Sequence, residues 1–532
     1  MKNTHNFVKG VISLAISQLV IKILGMVYSL YLTNKEGFGD AGNAIYMSGY
    51  QVYALFLTIS SIGVPNAISK LISEKLAIGD ERSADRILKV ATIFFAIFGF
   101  LGTITLFLGA NFISNNLLLI PEAKFTLMFL SPAIFFVAVS SVIEGYFNGR
   151  KEIYKTAKAQ VIEQFLKMIF TISIVNFLAT LTGKNTEYMA AGANFATSLA
   201  AMLSVFYLLI VCLKTRKKVN VNKIRCYKQE SVIKILINIA KVSIPLAVGA
   251  LLVALNSNID AMTVVRNLKT VVGEEMAQIR YGILTSKVDV LLTVPLSFNM
   301  AFSVALIPEI ASAKIKNDYE DISKKISFSI LISMLLAIPA MFGLYAYSEE
   351  ILKLLFPKAS AGGDLLKIAV FAIPFQILVQ TINGALQGLG KFNVTTIALS
   401  VGTVVKLIGN LVLLKSTVLL EKGAILSTIA CYFAILCITF YNLCKNCKLN
   451  LSFSKILLKP ILASFIMIVV SKIFYKELLV LGINESLSTI MAILVAIIIY
   501  VINILFLKIL SVEEIFRGKI EKRVKTQKAW KI

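Results

Sequence analysis

Apolar residues in this chain gather into long runs separated by short polar stretches. A helix needs about 20 apolar residues to cross the hydrocarbon core of a bilayer. Fourteen such runs can be read: 10–32, 46–69, 90–112, 125–147, 160–182, 188–212, 240–263, 283–307, 326–347, 365–388, 394–414, 423–443, 456–475 and 484–507. Alternating barrel-type strands are absent, so the runs are expected to be helices. The first follows Lys2 and Lys9 but is long for a signal peptide and has no small-x-small cleavage site after it. It reads as an uncleaved first helix.

Two stretches recur at nearly one spacing. "PNAISKLISEKLAIGD" (65–80) aligns without gaps on "SVALIPEIASAKIKND" (303–318), so that Pro65 falls on Ser303 and Asp80 on Asp318. "NGRKEIYKTAKAQVIEQFLKMI" (148–169) aligns on "QGLGKFNVTTIALSVGTVVKLI" (387–408) at an offset only one position longer, matching Gly149 to Gly388, Thr156 to Thr395 and Lys167 to Lys406. Six helices fill the offset, so both copies run in the same sense. The expected fold is an all-α membrane protein of fourteen transmembrane helices. Two parallel six-helix bundles would be related by a pseudo-twofold axis along the membrane normal, with two further helices at the C-terminal end. The corresponding divisions are a lobe at 1–213, a basic cytoplasmic linker at 214–239, a second lobe at 240–444, helices thirteen and fourteen at 445–509 and a basic cytoplasmic tail at 510–532.

Composition excludes the soluble classes: 57% of the 532 residues are hydrophobic and 16% charged, with a mean hydropathy of +0.81. The net charge of +25 raises the question of nucleic acid. With both termini placed in the cytoplasm, however, about two-thirds of the lysines and arginines fall on the inner face, as the positive-inside rule requires. The basic clusters then meet anionic membrane lipids, and no nucleic-acid partner is expected. Cys444 and Cys447 form a lone C-x-x-C beside a single histidine, His5, too few ligands for a metal centre. No G-x-x-x-x-G-K-[ST] loop is present and no His-based triad can be assembled, so an enzyme is not expected.

Several charges lie inside the runs, where each is costly unless it faces protein or water. "SQLVIKILGMVYSLYL" (17–32) carries Lys22 in mid-helix, and Gln18, Lys22, Gly25 and Ser29 share a face. On the fifth run Gln160, Gln164, Lys167 and Thr171 do likewise, with Glu163 at the margin. Thr395, Gly402, Lys406 and Asn410 repeat the stripe on the eleventh run, and Asn256, Asp260 and Thr263 share a face on the seventh. The offset also sets Lys22 against Asp260 and Tyr28 against Arg266. These stripes predict a water-accessible cationic cavity between the bundles, lined by Lys22, Lys167, Lys406, Arg266 and Lys287. Gln18, Asp260, Asn256, Glu163, Gln164, Asn410 and Asp289 would be its polar or coupling groups. Plainer readings stand beside this one. Lys22 and Asp260 would also serve as a static buried pair, and Lys167 and Lys406 can snorkel to a surface. Lys287 and Asp289 suit the interface at the start of the eighth run, and Glu144 suits the solvated end of its helix.

"YALFLTISSIGVPNAISKLISEKLAIGD" (53–80) and "FLSPAIFFVAVSSVIEGYFNGRKEIYKTAKAQVIEQ" (129–164) resemble the polysaccharide-exporter branch of the multidrug/oligosaccharidyl-lipid/polysaccharide exporter superfamily. That branch includes stage V sporulation protein B and the MurJ-type lipid II flippases. The resemblance implies two lobes working by alternating access around a central cationic cavity. The cargo it implies is a sugar linked through pyrophosphate to a lipid, moved from the inner to the outer leaflet of the bacterial cytoplasmic membrane. MurJ-type sequences carry S-R-V-L-G-x-x-R-D on the first span. Here Lys22 keeps a cation and Leu24-Gly25 are kept, but Tyr28 and Ser29 stand where an arginine and an aspartate would. The expected function is a flippase for lipid II or a related undecaprenyl-pyrophosphate peptidoglycan precursor, serving cell-wall growth or sporulation. The alternatives are a multidrug cation antiporter of the same superfamily and a polysaccharide-repeat-unit flippase. No cofactor is expected; coupling to the membrane potential or to a monovalent cation is open, as is partnership with cell-wall synthesis enzymes.

Overall fold

The computed structural model describes residues 17, 20–61, 63–217, 230–315, 317–447, 449 and 451–509. Gln18, the linker segment 218–229 and the tail from 510 lie outside them. Among the described residues the chain is helical, with no strand. In chain order the helices are α1 (Val20–Asn34), α2 (Gly39–Ser61), α3 (Val64–Ala77), α4 (Glu81–Phe112), α5 (Ala123–Gly149), α6 (Ile153–Leu181), α7 (Thr186–Lys217), α8 (Val232–Val272) and α9 (Glu274–Ile283). They continue with α10 (Asp289–Ile315), α11 (Tyr319–Ala346), α12 (Ser348–Leu355), α13 (Gly363–Ala369), α14 (Ala372–Gly388), α15 (Phe392–Leu413), α16 (Lys422–Asn446), α17 (Lys459–Val480) and α18 (Glu485–Phe506).

Eleven candidate spans among the described residues are long and apolar enough to cross a membrane, or twelve if α13 and α14, bent by 42°, form one broken span. The protein is therefore a multi-pass membrane protein. The two remaining runs expected from the sequence fall on α1, which is shorter, and on α10. Exposed faces are apolar, as lipid contact demands: Ile93, Ile97, Leu101 and Leu108 on α4 and Leu494, Ile498 and Ile502 on α18 are all exposed. Pro65, which the sequence suggests as a kink former, stands instead in the first turn of α3, where its missing N–H costs nothing.

The helices form two compact units: residues up to Val290 with Leu399–Ser427, and Leu291–Ala398 with the chain from Thr428. In the first, Val64, Ile68 and Ile72 of α3 pack into one core with Ile87, Val142, Tyr146 and Leu208. In the second, Leu306, Ile310, Ile326, Leu386 and Leu443 make a comparable core. A buried polar network joins α10, α11 and α14 there. Asn299 Nδ2 donates to Gln380 Oε1 and Thr381 Oγ1, each at 3.1 Å, and Ser333 Oγ donates to Asn299 Oδ1 at 2.8 Å.

The sequence repeat reappears as repeated local structure, once in each unit. Asp80 accepts from the Ser83 N–H at 3.0 Å and caps α4; Asp318, its counterpart in the repeat, accepts from the Asp321 N–H at 3.0 Å and caps α11. The preceding residues, Gly79 and Asn317, both hold left-handed conformations, with φ of 77° and 55°. Glycines four apart let two helices touch backbone to backbone. A Cβ at Gly145 would stand 2.9 Å from the Pro65 carbonyl oxygen, and one at Gly149 2.8 Å from that of Ser69. In the second unit a Cβ at Gly384 would stand 2.7 Å from the Ser303 carbonyl, and one at Gly388 2.9 Å from that of Ile307. Each of these second-unit residues is the repeat counterpart of its first-unit equivalent.

Gly145→Val and Gly384→Val should each cost about 1–3 kcal/mol through forced helix separation. Gly249→Ala, where nothing lies within 4 Å of the added carbon, should leave thermal unfolding in detergent unchanged.

Candidate functional site

Lys167 lies at the middle of α6 and is 4% exposed. Its turn of helix also carries Gln164, and both meet the tyrosines of α1 and α2. Lys167 Nζ stands 4.6 Å from the ring centroid of Tyr50 and 5.0 Å from that of Tyr28. Tyr28 hydrogen-bonds with Lys167, Gln164 and Tyr46. Tyr46 stacks on Tyr50 at 6.0 Å, and Tyr50 packs on Tyr53 at 5.7 Å. Among the described residues no carboxylate lies within ion-pair distance of Lys167; Glu163, one turn earlier, acts on it only through space. Ring faces, and not a carboxylate, therefore surround the Lys167 amino group. A desolvated cation–π contact contributes about 2 kcal/mol, less than burial of the charge costs. The Tyr28 hydroxyl adds a hydrogen bond to Lys167.

Lys406, the repeat counterpart of Lys167, is equally buried but is neutralised. Its Nζ donates to Asp260 Oδ2 at 2.6 Å, and Asn410 Nδ2 donates to Asp260 Oδ1 at 2.8 Å and to Thr263 Oγ1 at 2.9 Å. Asp260 and Thr263 lie one turn apart on α8, and Lys406 and Asn410 one turn apart on α15. A carboxylate and two donors thus meet across two helices. Asp289, at the start of α10, adds a second carboxylate whose field reaches both Asp260 and Lys406.

The remaining expected groups are spread more widely. Asp260 pairs with Lys406 and not with Lys22, because the repeat offset identifies equivalent positions whereas ion pairs form between neighbouring helices. Lys22 is exposed and makes no hydrogen bond or ion pair among the described residues. Arg266 is also exposed and donates to the Asn116 carbonyl at 2.6 Å. Lys287 is fully buried in an ion pair with Asp40 at 2.7 Å, so it is neither interfacial nor a free cation. Asn256 is buried on α8. Gln18 falls outside the described residues. Glu144 is held and not simply solvated: it accepts from Gln160 Nε2 at 3.2 Å and from Ser140 Oγ at 3.5 Å.

Sequence reasoning noted Tyr28 as a departure from the MurJ-type motif and passed over Tyr46, Tyr50 and Asp40. The spacing of Tyr46, Tyr50 and Tyr53, one helical face, was the available signal.

The family described as "Polysaccharide biosynthesis protein" matches residues 7–314, and the MatE family matches 281–412. The chain is 27% identical over 428 residues to "Lipid II flippase MurJ" of Bacillus subtilis (strain 168), covering 76% of this chain and 77% of that one. It is 24% identical over 387 residues to "Stage V sporulation protein B" of the same organism, covering 71% and 73%. Among solved structures, "Lipid II flippase MurJ, inward closed conformation" superposes with a TM-score of 0.71 at 17% identity, over 96% of this chain and all of that one. At that identity the likeness concerns the fold.

Asp260→Asn should destabilise the protein by about 3–5 kcal/mol, because it leaves the Lys406 ammonium buried without an anion. Adding Lys406→Met should recover most of that loss. Thermal unfolding of the two single variants and the double variant, as a double-mutant cycle, checks both.

Proposed function

The chain belongs to the polysaccharide biosynthesis protein family, and from that premise we propose that it is a flippase for a lipid-linked oligosaccharide. The cargo would be lipid II or a related undecaprenyl-pyrophosphate precursor, carried from the inner to the outer leaflet of the cytoplasmic membrane by alternating access. In this reading the chain crosses fourteen times, with α1 and α10 as the two further spans, and both termini lie in the cytoplasm. The observation that carries the proposal is Lys167: a buried ammonium faced by tyrosines, without an anionic partner among the described residues.

A diphosphate supplies what Lys167 lacks. Charge-assisted hydrogen bonds between ammonium and phosphate are stronger than the cation–π contacts they would replace. Arrival of the headgroup would then free Tyr28 and Tyr50 from Lys167 and change the contacts among α1, α2 and α6. A ligand shifts a conformational equilibrium only through such differential contacts. Lys22, exposed six residues before Tyr28, would make the first encounter. The membrane potential can add about 2.3 kcal/mol per charge per 100 mV to the drive. Lys406, already held by Asp260, would act through that ion pair and not as an anion receptor.

One observation favours a second reading, a cation antiporter: the MatE match covers Asp289, which shares its surroundings with Asp260. Drug-resistance and cation-uptake assays separate the two, since an antiporter would extrude cationic drugs and move no lipid.

Lys167→Met should lower flipping of a fluorescent lipid-linked sugar in reconstituted vesicles by about 10- to 100-fold, the loss of one charged hydrogen bond. Incorporation into the vesicles should be unchanged. Transport by Lys167→Met at the wild-type rate would remove the role assigned to this lysine.

A further inference from the structure

One polar surface of the membrane spans is not used by the buried charges. α14 contains no charged residue, yet Gln376, Gln380, Asn383 and Gln387 recur along it at intervals of four, three and four. At 100° per residue they fall within an arc of about 60°. With a rise of 1.5 Å per residue the stripe is about 17 Å long. It runs from early in α14 to the helix's C-terminal end.

Packing accounts for only one of the four. Gln380 is held by Asn299 of α10 at 3.1 Å. The face on α10 is marked by Gly384 and Gly388, which approach the Ser303 and Ile307 carbonyls. It lies about a quarter turn from the stripe. Gln376, Asn383 and Gln387 make no hydrogen bond among the described residues, although Gln376 is 9% exposed and Asn383 Oδ1 is buried without a partner. A polar atom left unpaired away from water is costly, so a span that buries Asn383 Oδ1 and most of Gln376 without a partner has a use for them.

The repeat supplies an internal control. It sets Asn148 against Gln387 and Thr156 against Thr395. In the first copy the pair is closed: Thr156 Oγ1 donates to Asn148 Oδ1 at 3.1 Å. In the second copy Thr395 is 8% exposed and its Oγ1 has no partner. Glu144, set against Asn383, is likewise held in the first copy by Gln160 and Ser140. The polar positions satisfied in one copy are left open in the other.

We infer that the amide stripe of α14 binds the sugar headgroup of the cargo. The inference rests on the flippase reading above and deepens it. Each amide offers a carbonyl acceptor and two N–H donors, the complement of sugar hydroxyl and acetamido groups. An uncharged stripe suits a neutral sugar. The stripe is long enough for two or more sugar rings.

The test compares binding of two probes to the purified full chain in nanodiscs: bare undecaprenyl pyrophosphate, and the same lipid carrying an N-acetylglucosamine-containing disaccharide. The wild type should bind the glycosylated lipid about tenfold more tightly, the worth of one or two hydrogen bonds. The triple variant Gln376→Leu, Asn383→Leu, Gln387→Leu should bind both lipids equally, with affinity for the bare lipid unchanged. A triple variant that keeps the wild-type preference overturns the inference, as does a wild type without one; in both cases the flippase reading stands. A wild type that binds neither lipid overturns the reading and the inference with it. Should the triple variant not elute as a single species, Gln376→Leu and Gln387→Leu decide separately, each expected to reduce the preference about threefold and each contradicting the inference if it does not.

Discussion

An ammonium inside a membrane span must be neutralised, hydrated or shielded, and the architecture of this protein follows from how it meets that requirement twice. Lys167 and Lys406 occupy corresponding positions of the repeat and are each 4% exposed. Lys406 is neutralised by Asp260 and braced by Asn410. Lys167 is shielded by aromatic faces, with no carboxylate in ion-pair range among the described residues. The asymmetry separates a structural ion pair from a cation available for exchange. A buried pair is a poor receptor, since an incoming anion must displace a carboxylate at 2.6 Å. A cation held by polarisable rings gives up much less when an anion arrives.

The proposed division of labour extends this asymmetry to uncharged groups. In the second copy the amides of α14 would serve the sugar, where the first copy closes the equivalent positions with its own hydrogen bonds. The frame that carries both is conservative. The same glycine contacts and the same aspartate caps recur in each unit at nearly one offset. The side chains have diverged at positions that the shared frame leaves free, which is how two copies of one scaffold come to hold different chemical groups.

Much of the frame was legible in the sequence. The apolar runs predicted the helices, and the two nearly equal offsets aligned positions at which the structure repeats its caps, down to Gly79-Asp80 and Asn317-Asp318. Backbone contacts and caps depend on a few residues of fixed type, so they survive in sequence. The site was less legible. Aligning Lys22 with Asp260 identified symmetry mates, but charges pair with what adjoins them, and Asp260 adjoins α15. Tyr28 and Tyr50 read as part of apolar runs because tyrosine is amphipathic, and only their approach to Lys167 gives the phenol faces a role. Lys287 and Asp40 are 247 residues apart, a distance over which no periodicity argument reaches. The amides of α14 have no fixed motif, and they stand out only because the structure leaves three of the four without a hydrogen bond among the described residues.

The most direct test of the central claim is a structure determined with undecaprenyl pyrophosphate bound. The account predicts a phosphate oxygen about 3 Å from Lys167 Nζ, with Tyr28 and Tyr50 drawn away from the lysine and the Asp260–Lys406 pair intact. A diphosphate seated elsewhere, with Lys167 still enclosed by its tyrosines, would contradict it.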